Sequence, residues 1–423
     1  MMTNKLATLN GRSLPERVRS LSSLGTLRVE DFALYLYAVL LLTSSALGLN
    51  GFVDIGAFLF LLGSNLLVLC ANRRLLNFNI LDRFVVCLVC FWVLCWTSVL
   101  WSPYPDAVLA EANLKRAIQV IVVSTLIVAN SYWRKDYHTA ILRILASAAI
   151  TSLIVLLTIF PVSDWGTERL GGEEMGISAN ALGVALALGC VASIYIAKRS
   201  RFSILWYCSA VALIAGALLT GTRQALLYPA LYILIQLLMD VRHVKTWVYI
   251  VLSGIALIIV YQYLVTDPFM REIIGARLEG LVNDILGVQA STEHSVEERG
   301  QFRIWALQLF LSHPLLGLGY NGFLGWLQDI GYINVTTSHC NPTEVLSSTG
   351  VVGFAIYYSL YLVCIMGLRK AQPSEKGRAR QMIAFVLTLL ITQFAGEVLT
   401  NITFSMYLAT IYVASREFQC NNS

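Results

Sequence analysis

Twelve runs of apolar residues, most of them close to the length a helix needs to cross a lipid bilayer, divide the chain between residues 32 and 415. They fall at about 32–49, 52–71, 84–101, 112–129, 139–160, 180–197, 202–220, 224–239, 246–265, 344–366, 382–395 and 398–415. Composition agrees with this pattern. Hydrophobic residues make up 57% and charged residues 13%, against about 25% charged in an ordinary soluble domain. With a mean hydropathy of +0.69, soluble globular, disordered, collagen-like and coiled-coil classes are excluded. The expected fold is an all-α polytopic membrane protein with about twelve transmembrane helices. The net charge of +5 is too mild to suggest a nucleic-acid partner.

Orientation follows from where Lys and Arg fall. With the N-terminus inside, 21 of the 30 basic residues lie in the N-terminal segment, the inner loops and the tail. An even number of spans returns the C-terminus to the same side, so the expected topology is N-in, C-in. This divides the chain into a cytoplasmic segment 1–30, helices one to nine over 31–265, an outer segment 266–343, helices ten to twelve over 344–415, and a tail 416–423. The outer segment is too long for a plain connection. It carries four Arg and eight acidic residues, together with helical signals of its own, and reads as a small folded cap.

The cap holds the densest set of candidate functional residues. Ser295 to Glu298 has the form of a helix capping box, followed by Phe302, Trp305, Ala306, Leu309 and Phe310 at apolar helical spacing. On that helix Arg299 and Arg303 lie four apart and share a face. Adjacent guanidiniums repel unless an anion lies between them. Glu297, Glu298 or a lipid phosphate meets that need, and so does a diphosphate, which the planar Arg fork grips at two oxygens. Farther on, Asn341 fits a helix N-cap, Pro342 the first helical position and Glu344 the third. His339 is thereby expected just ahead of a helix N-terminus, where anions are favoured and where an imidazole exchanges protons near neutral pH.

Other basic residues at outer span ends are Arg169, near Asn180, and Arg223, between two apolar spans. Each either snorkels to lipid headgroups or serves a site, since outer-face Arg runs against the charge bias. Arg271 and Arg277 are weaker candidates because Glu272 and Glu279 are close. Glu397 is either a polar anchor or a substrate contact. There is no Gly-Lys-Ser/Thr phosphate loop, no His-Glu-x-x-His and no Asp-x-Asp pair, so no metal and no cofactor is expected. Group transfer on the outer face then requires a donor activated in advance, with Arg neutralising the leaving group.

Several motifs, in order, carry a family resemblance. They are Trp101 to Pro105 after span three, Arg169 to Gly172 with Asn180, Gly221 to Arg223, Arg303 to Trp305, Ser312 to Asn321, His339 to Asn341, and Glu344 with Gly350 and Gly353. Together with the twelve-span layout and the long loop before span ten, the chain resembles the O-antigen ligase and polymerase superfamily of bacterial envelope glycosyltransferases over most of residues 30–415. The family arginine's position is taken here by Gln301, and Arg299 and Arg303 flank it.

The resemblance implies a bacterial inner-membrane enzyme with its active site facing the periplasm. Its donor is a glycan on undecaprenyl diphosphate, and membrane lipids surround it. A ligase delivers the glycan to the lipid A–core, a polymerase joins repeat units, and a protein O-oligosaccharyltransferase delivers to Ser or Thr. The expected activity is ligation, metal-independent and inverting, with His339 as base or orienter and Arg223, Arg299 and Arg303 on the diphosphate. The substrate-contact set is Arg169, Asn180, Asn341, Glu344, Arg271 and Arg277. The rival of another class is a secondary transporter for an anion or a lipid-linked substrate, which broken helices and inverted repeats would favour; the sequence shows neither.

Overall fold

The computed structural model describes residues 28–49, 51–71, 81–161, 168–172, 175–239, 244–276, 279, 282, 294–332 and 337–419. Among these the chain is helical throughout, without a strand. The helices are α1 (Val29–Thr43), α2 (Gly51–Ala71), α3 (Arg83–Thr97), α4 (Glu111–Asn130), α5 (Tyr137–Ile159), α6 (Ala179–Ala197) and α7 (Ser203–Leu219). They continue with α8 (Arg223–Met239), α9 (Val244–Thr266), α10 (His294–Ser312), α11 (Gly322–Asp329), α12 (Asn341–Arg369), α13 (Lys376–Thr392) and α14 (Ile402–Glu417). Every apolar run of the sequence coincides with one of these, leaving α10 and α11 for the polar segment. Among the described residues, five stretches are long and apolar enough to cross a membrane by length and composition: Gly51–Cys70, Arg83–Leu100, Tyr137–Ile159, Ala179–Ala197 and Asn341–Arg369. Helices such as α1, with 15 residues and about 22 Å of length, fall short of the roughly 30 Å hydrocarbon layer by themselves.

The bundle is organised around α6, in which 16 of 19 residues are buried. Its run of Ala and Gly lets neighbouring backbones approach closely, the usual solution where apolar burial alone does not drive helices together. α6 packs on α5, α7 and α8, while α14 packs on α4, α5, α12 and α13. At the end where α5 begins, charged pairs tie the helices together. Arg134 grips both carboxylate oxygens of Asp31 at 2.5 and 2.6 Å. Asp82 accepts from the hydroxyls of Tyr132 and Tyr412, each at 2.9 Å. Arg378 donates to Asp136 at 3.0 Å and reaches His138 at 3.1 Å, and His138 also pairs with Glu417.

Two local expectations need correction. Span ten is a broken helix: at Gly350 the backbone has φ 62° and ψ −164° inside α12. The break leaves carbonyls and N–H groups without helical partners, and the turn between α10 and α11 supplies them. Leu318 N donates to Ser347 O at 2.8 Å, Gly319 N to Ser348 O at 2.9 Å, and Val351 N to Pro314 O at 2.9 Å. A Cβ at Gly350 would lie 2.3 Å from the Leu315 carbonyl, so the backbone there requires glycine on both space and φ. The second correction concerns helix starts. Asn341 is the first residue of α12, with Cys340 at the N-cap, because its amide is engaged elsewhere. Ser295 lies inside α10 rather than ahead of it.

The same turn brings together motifs more than 200 residues apart. Tyr320 N donates to Ser98 Oγ at 2.8 Å, Asn321 Nδ2 to Ala107 O at 3.2 Å, and the Tyr104 hydroxyl bonds Asp329. Tyr104 lies so close to Gly325 that a Cβ there would meet its ring at 2.5 Å. The Trp101 to Pro105 segment is therefore a dock for α11, and it fixes the cap against the membrane-facing bundle.

Candidate active site

His339 sits in the short loop that leads into α12, with a left-handed backbone at φ 52°. For a residue with a Cβ this conformation costs about 1–3 kcal/mol and persists only where neighbours impose it. The neighbours are visible. Ser338 N donates to Glu344 Oε2 at 2.7 Å, and Ser338 Oγ reaches Cys340 O at 3.0 Å and Thr343 Oγ1 at 3.1 Å. Thr343 Oγ1 donates to Cys340 O at 2.9 Å. The loop is thus folded back onto the first turn of its own helix.

α10 packs against α12 and delivers its arginines to this loop. Arg303 Nη2 donates to His339 O at 3.5 Å, while its Nε is buried without a hydrogen-bond partner among the described residues. Phe302, on the same helix, has its ring 6.4 Å from the His339 imidazole. Phe302, Ala306, Phe323 and Leu327 form a small apolar core that joins α10 to α11. Arg299 is exposed one turn earlier. Burial, then the charges of Arg299 and Arg303, push the His339 pKa down from 6.5 to about 4. The imidazole is therefore neutral at pH 7, the form that can accept a proton.

The polar network continues away from the cap. Asn341 is fully buried; its Nδ2 donates to Gln393 Oε1 at 2.8 Å and its Oδ1 accepts from Val398 N at 3.2 Å. The Tyr358 hydroxyl also donates to Gln393 Oε1, at 2.9 Å. Both Asn341 and Glu344, expected at the substrate, face inward and are occupied by the chain itself. Glu397 lies in the α13–α14 connection and accepts from Leu399 N. Burial pushes its carboxyl above the usual range, opposed by the Leu399 and Thr400 N–H groups and by Arg116.

A second cluster lies where α6 and α8 begin. Arg169 Nε donates to Thr220 O at 2.7 Å, and its Nη2 lies 3.3 Å from both Asn180 Oδ1 and Thr222 Oγ1. The sequence pairing of Arg169 with Asn180 is thus a contact, and the Thr220 to Thr222 turn completes it. Arg223, half-buried, is the first residue of α8. Its neighbour Gln224 donates to Thr392 O at 3.4 Å, adjacent to the Gln393 that holds Asn341. A continuous route of contacts thereby links the Arg223 end of α8 with the His339 loop. Arg271 is set apart: it forms a salt bridge with Glu279 at 3.0 Å. Arg277 lies outside the described residues.

Sequence reasoning missed Ser338, Gln393 and the Tyr104 dock. Gln393 and Asn341 are 52 positions apart, and no local pattern announces such a pair. The described metal-competent group is Asp136, His138 and Glu417, at the opposite end of the bundle and already engaged by Arg378.

The O-antigen ligase family model matches residues 208–358. The match begins within α7 and runs through α8, α9 and the cap into α12, so it includes Arg223, Arg299, Arg303, His339 and Glu344. A comparison with curated proteins finds no match. Residues 208–358 of this chain are therefore similar to the O-antigen ligase family.

Proposed function

We propose that the protein is an O-antigen ligase, transferring glycan from undecaprenyl diphosphate to the lipid A–core on the periplasmic face of the inner membrane. The observation that carries this reading is the meeting of Arg303, Arg299 and a neutral His339 at the start of α12, within the family-matched region. In this mechanism His339 accepts the proton of the acceptor hydroxyl, which attacks the anomeric carbon from the side opposite the diphosphate. The C–O bond to the diphosphate breaks with inversion, and its electron pair leaves on the phosphate oxygen. Arg223 with Arg299 or Arg303 neutralises the departing diphosphate, a role that planar donors fill without a metal. Arg169 and Asn180 form a further contact for the donor.

The proposed topology has twelve crossings with both termini cytoplasmic, supported by the coincidence of all twelve apolar runs with helices. The transporter reading gains the broken α12, but that break is filled by the turn at residues 314–319. Proteoliposomes holding the purified protein, lipid-linked O-antigen and acceptor lipopolysaccharide should yield ligated product in the presence of chelator. Donor movement across the bilayer without product would favour the transporter.

A further inference from the structure

Glu344 has the chemistry of a substrate contact, yet its surroundings give it another task. We propose that Glu344 is the positioning residue for His339, acting through Ser338 and without touching the glycan. This inference rests on the transfer reaction proposed above.

The geometry has three parts. The Glu344 side chain is 4% exposed, and its Oε2 receives the Ser338 N–H at 2.7 Å. His339 follows directly, in a left-handed backbone that its own side chain does not favour. Among the described residues the loop's hydrogen bonds run through backbone atoms and through Ser338, Thr337 and Thr343. The imidazole itself is packed against Phe302. The ring is therefore aimed by the backbone that carries it, and Glu344 fastens that backbone one residue away. It does so from the first turn of α12, whose position is fixed by the Asn341–Gln393 bond. Loss of the Glu344 contact should free the loop to leave its left-handed conformation and swing the imidazole out of line.

The test uses the full-length protein in proteoliposomes with Glu344→Gln, Glu344→Ala and Glu344→Asp. Gln retains an oxygen at the same reach, whereas Asp retains the charge but is one methylene short. In the Ala and Asp variants kcat should fall by roughly 10²-fold, the loss expected from an ångström-scale misplacement, with donor and acceptor KM unchanged. Gln should recover most of that loss. In parallel, diethyl pyrocarbonate labelling of His339, read by peptide mass spectrometry, should speed up in the Ala and Asp variants and not in Gln. A rise in KM with kcat intact in the Gln variant would make Glu344 a substrate contact and overturn the proposal. So would full activity in Asp, which would show that charge alone matters, or unchanged His339 labelling in both Ala and Asp. If the wild type transfers no glycan, the ligase reading fails, and the labelling arm still decides whether Glu344 holds the loop.

Discussion

Replacing Arg303 with Gln removes one of the two positive charges that act on His339. In the wild type, burial, Arg299 and Arg303 together hold the imidazole at about 4, against 6.5 for the free side chain. That interval corresponds to about 3 kcal/mol against the imidazolium form, with burial the largest part. Without Arg303 the imidazolium meets less repulsion, so the pKa must rise. Burial and Arg299 remain, so it must stop short of 6.5. The acid limb of kcat/KM reports the free enzyme's base, and it should move upward from about 4 in Arg303→Gln, whatever happens to the overall rate. Arg303→Lys keeps the charge and should leave the midpoint nearly in place while lowering the amplitude. An acid limb that stays put or moves down in Arg303→Gln would refute the assignment of His339 as the titrating base beside these arginines.

Further outcomes follow from the same structure. Arg→Lys at position 223, or at whichever of 299 and 303 grips the diphosphate, should lower transfer by roughly 10²-fold, as for loss of one preorganised donor; a headgroup-snorkelling arginine should tolerate Lys. Gly350→Ala should destabilise by roughly 2–5 kcal/mol, combining left-handed strain with the overlap on the Leu315 carbonyl, and a thermal melt in detergent measures it. Because the folded pKa of His339 lies below its unfolded one, the unfolded chain takes the proton first on acidification. Stability should therefore fall between pH 6.5 and about 4, and chemical denaturation of His339→Asn should show less of that loss.

What could be read from the sequence, and what could not, divides along physical lines. All twelve apolar runs became helices because backbone groups in an apolar layer must bond within their own segment. The joining of Arg169 to Asn180, the pairing of Arg271 with Glu279 and the nearness of Arg303 to His339 were also legible, since each pair lies within one short stretch or one loop. The break at Gly350 was not legible. A glycine in an apolar run is commonplace, and only the turn at residues 314–319, arriving from elsewhere, makes the broken backbone stable. The partners of Asn341 and Glu344 were not legible for a related reason: polar residues at a helix start look available until Gln393 and Val398 for one and Ser338 for the other are in place.

The central claim is that His339 performs the chemical step while arginines hold the donor diphosphate. Its most direct test measures donor affinity and single-turnover ligation separately for His339→Ala in proteoliposomes. A general base contributes about 10²–10⁴-fold to the step it serves, so ligation should slow by that factor with donor affinity nearly unchanged. Ligation at near wild-type rate, or a loss confined to donor affinity, would contradict the account.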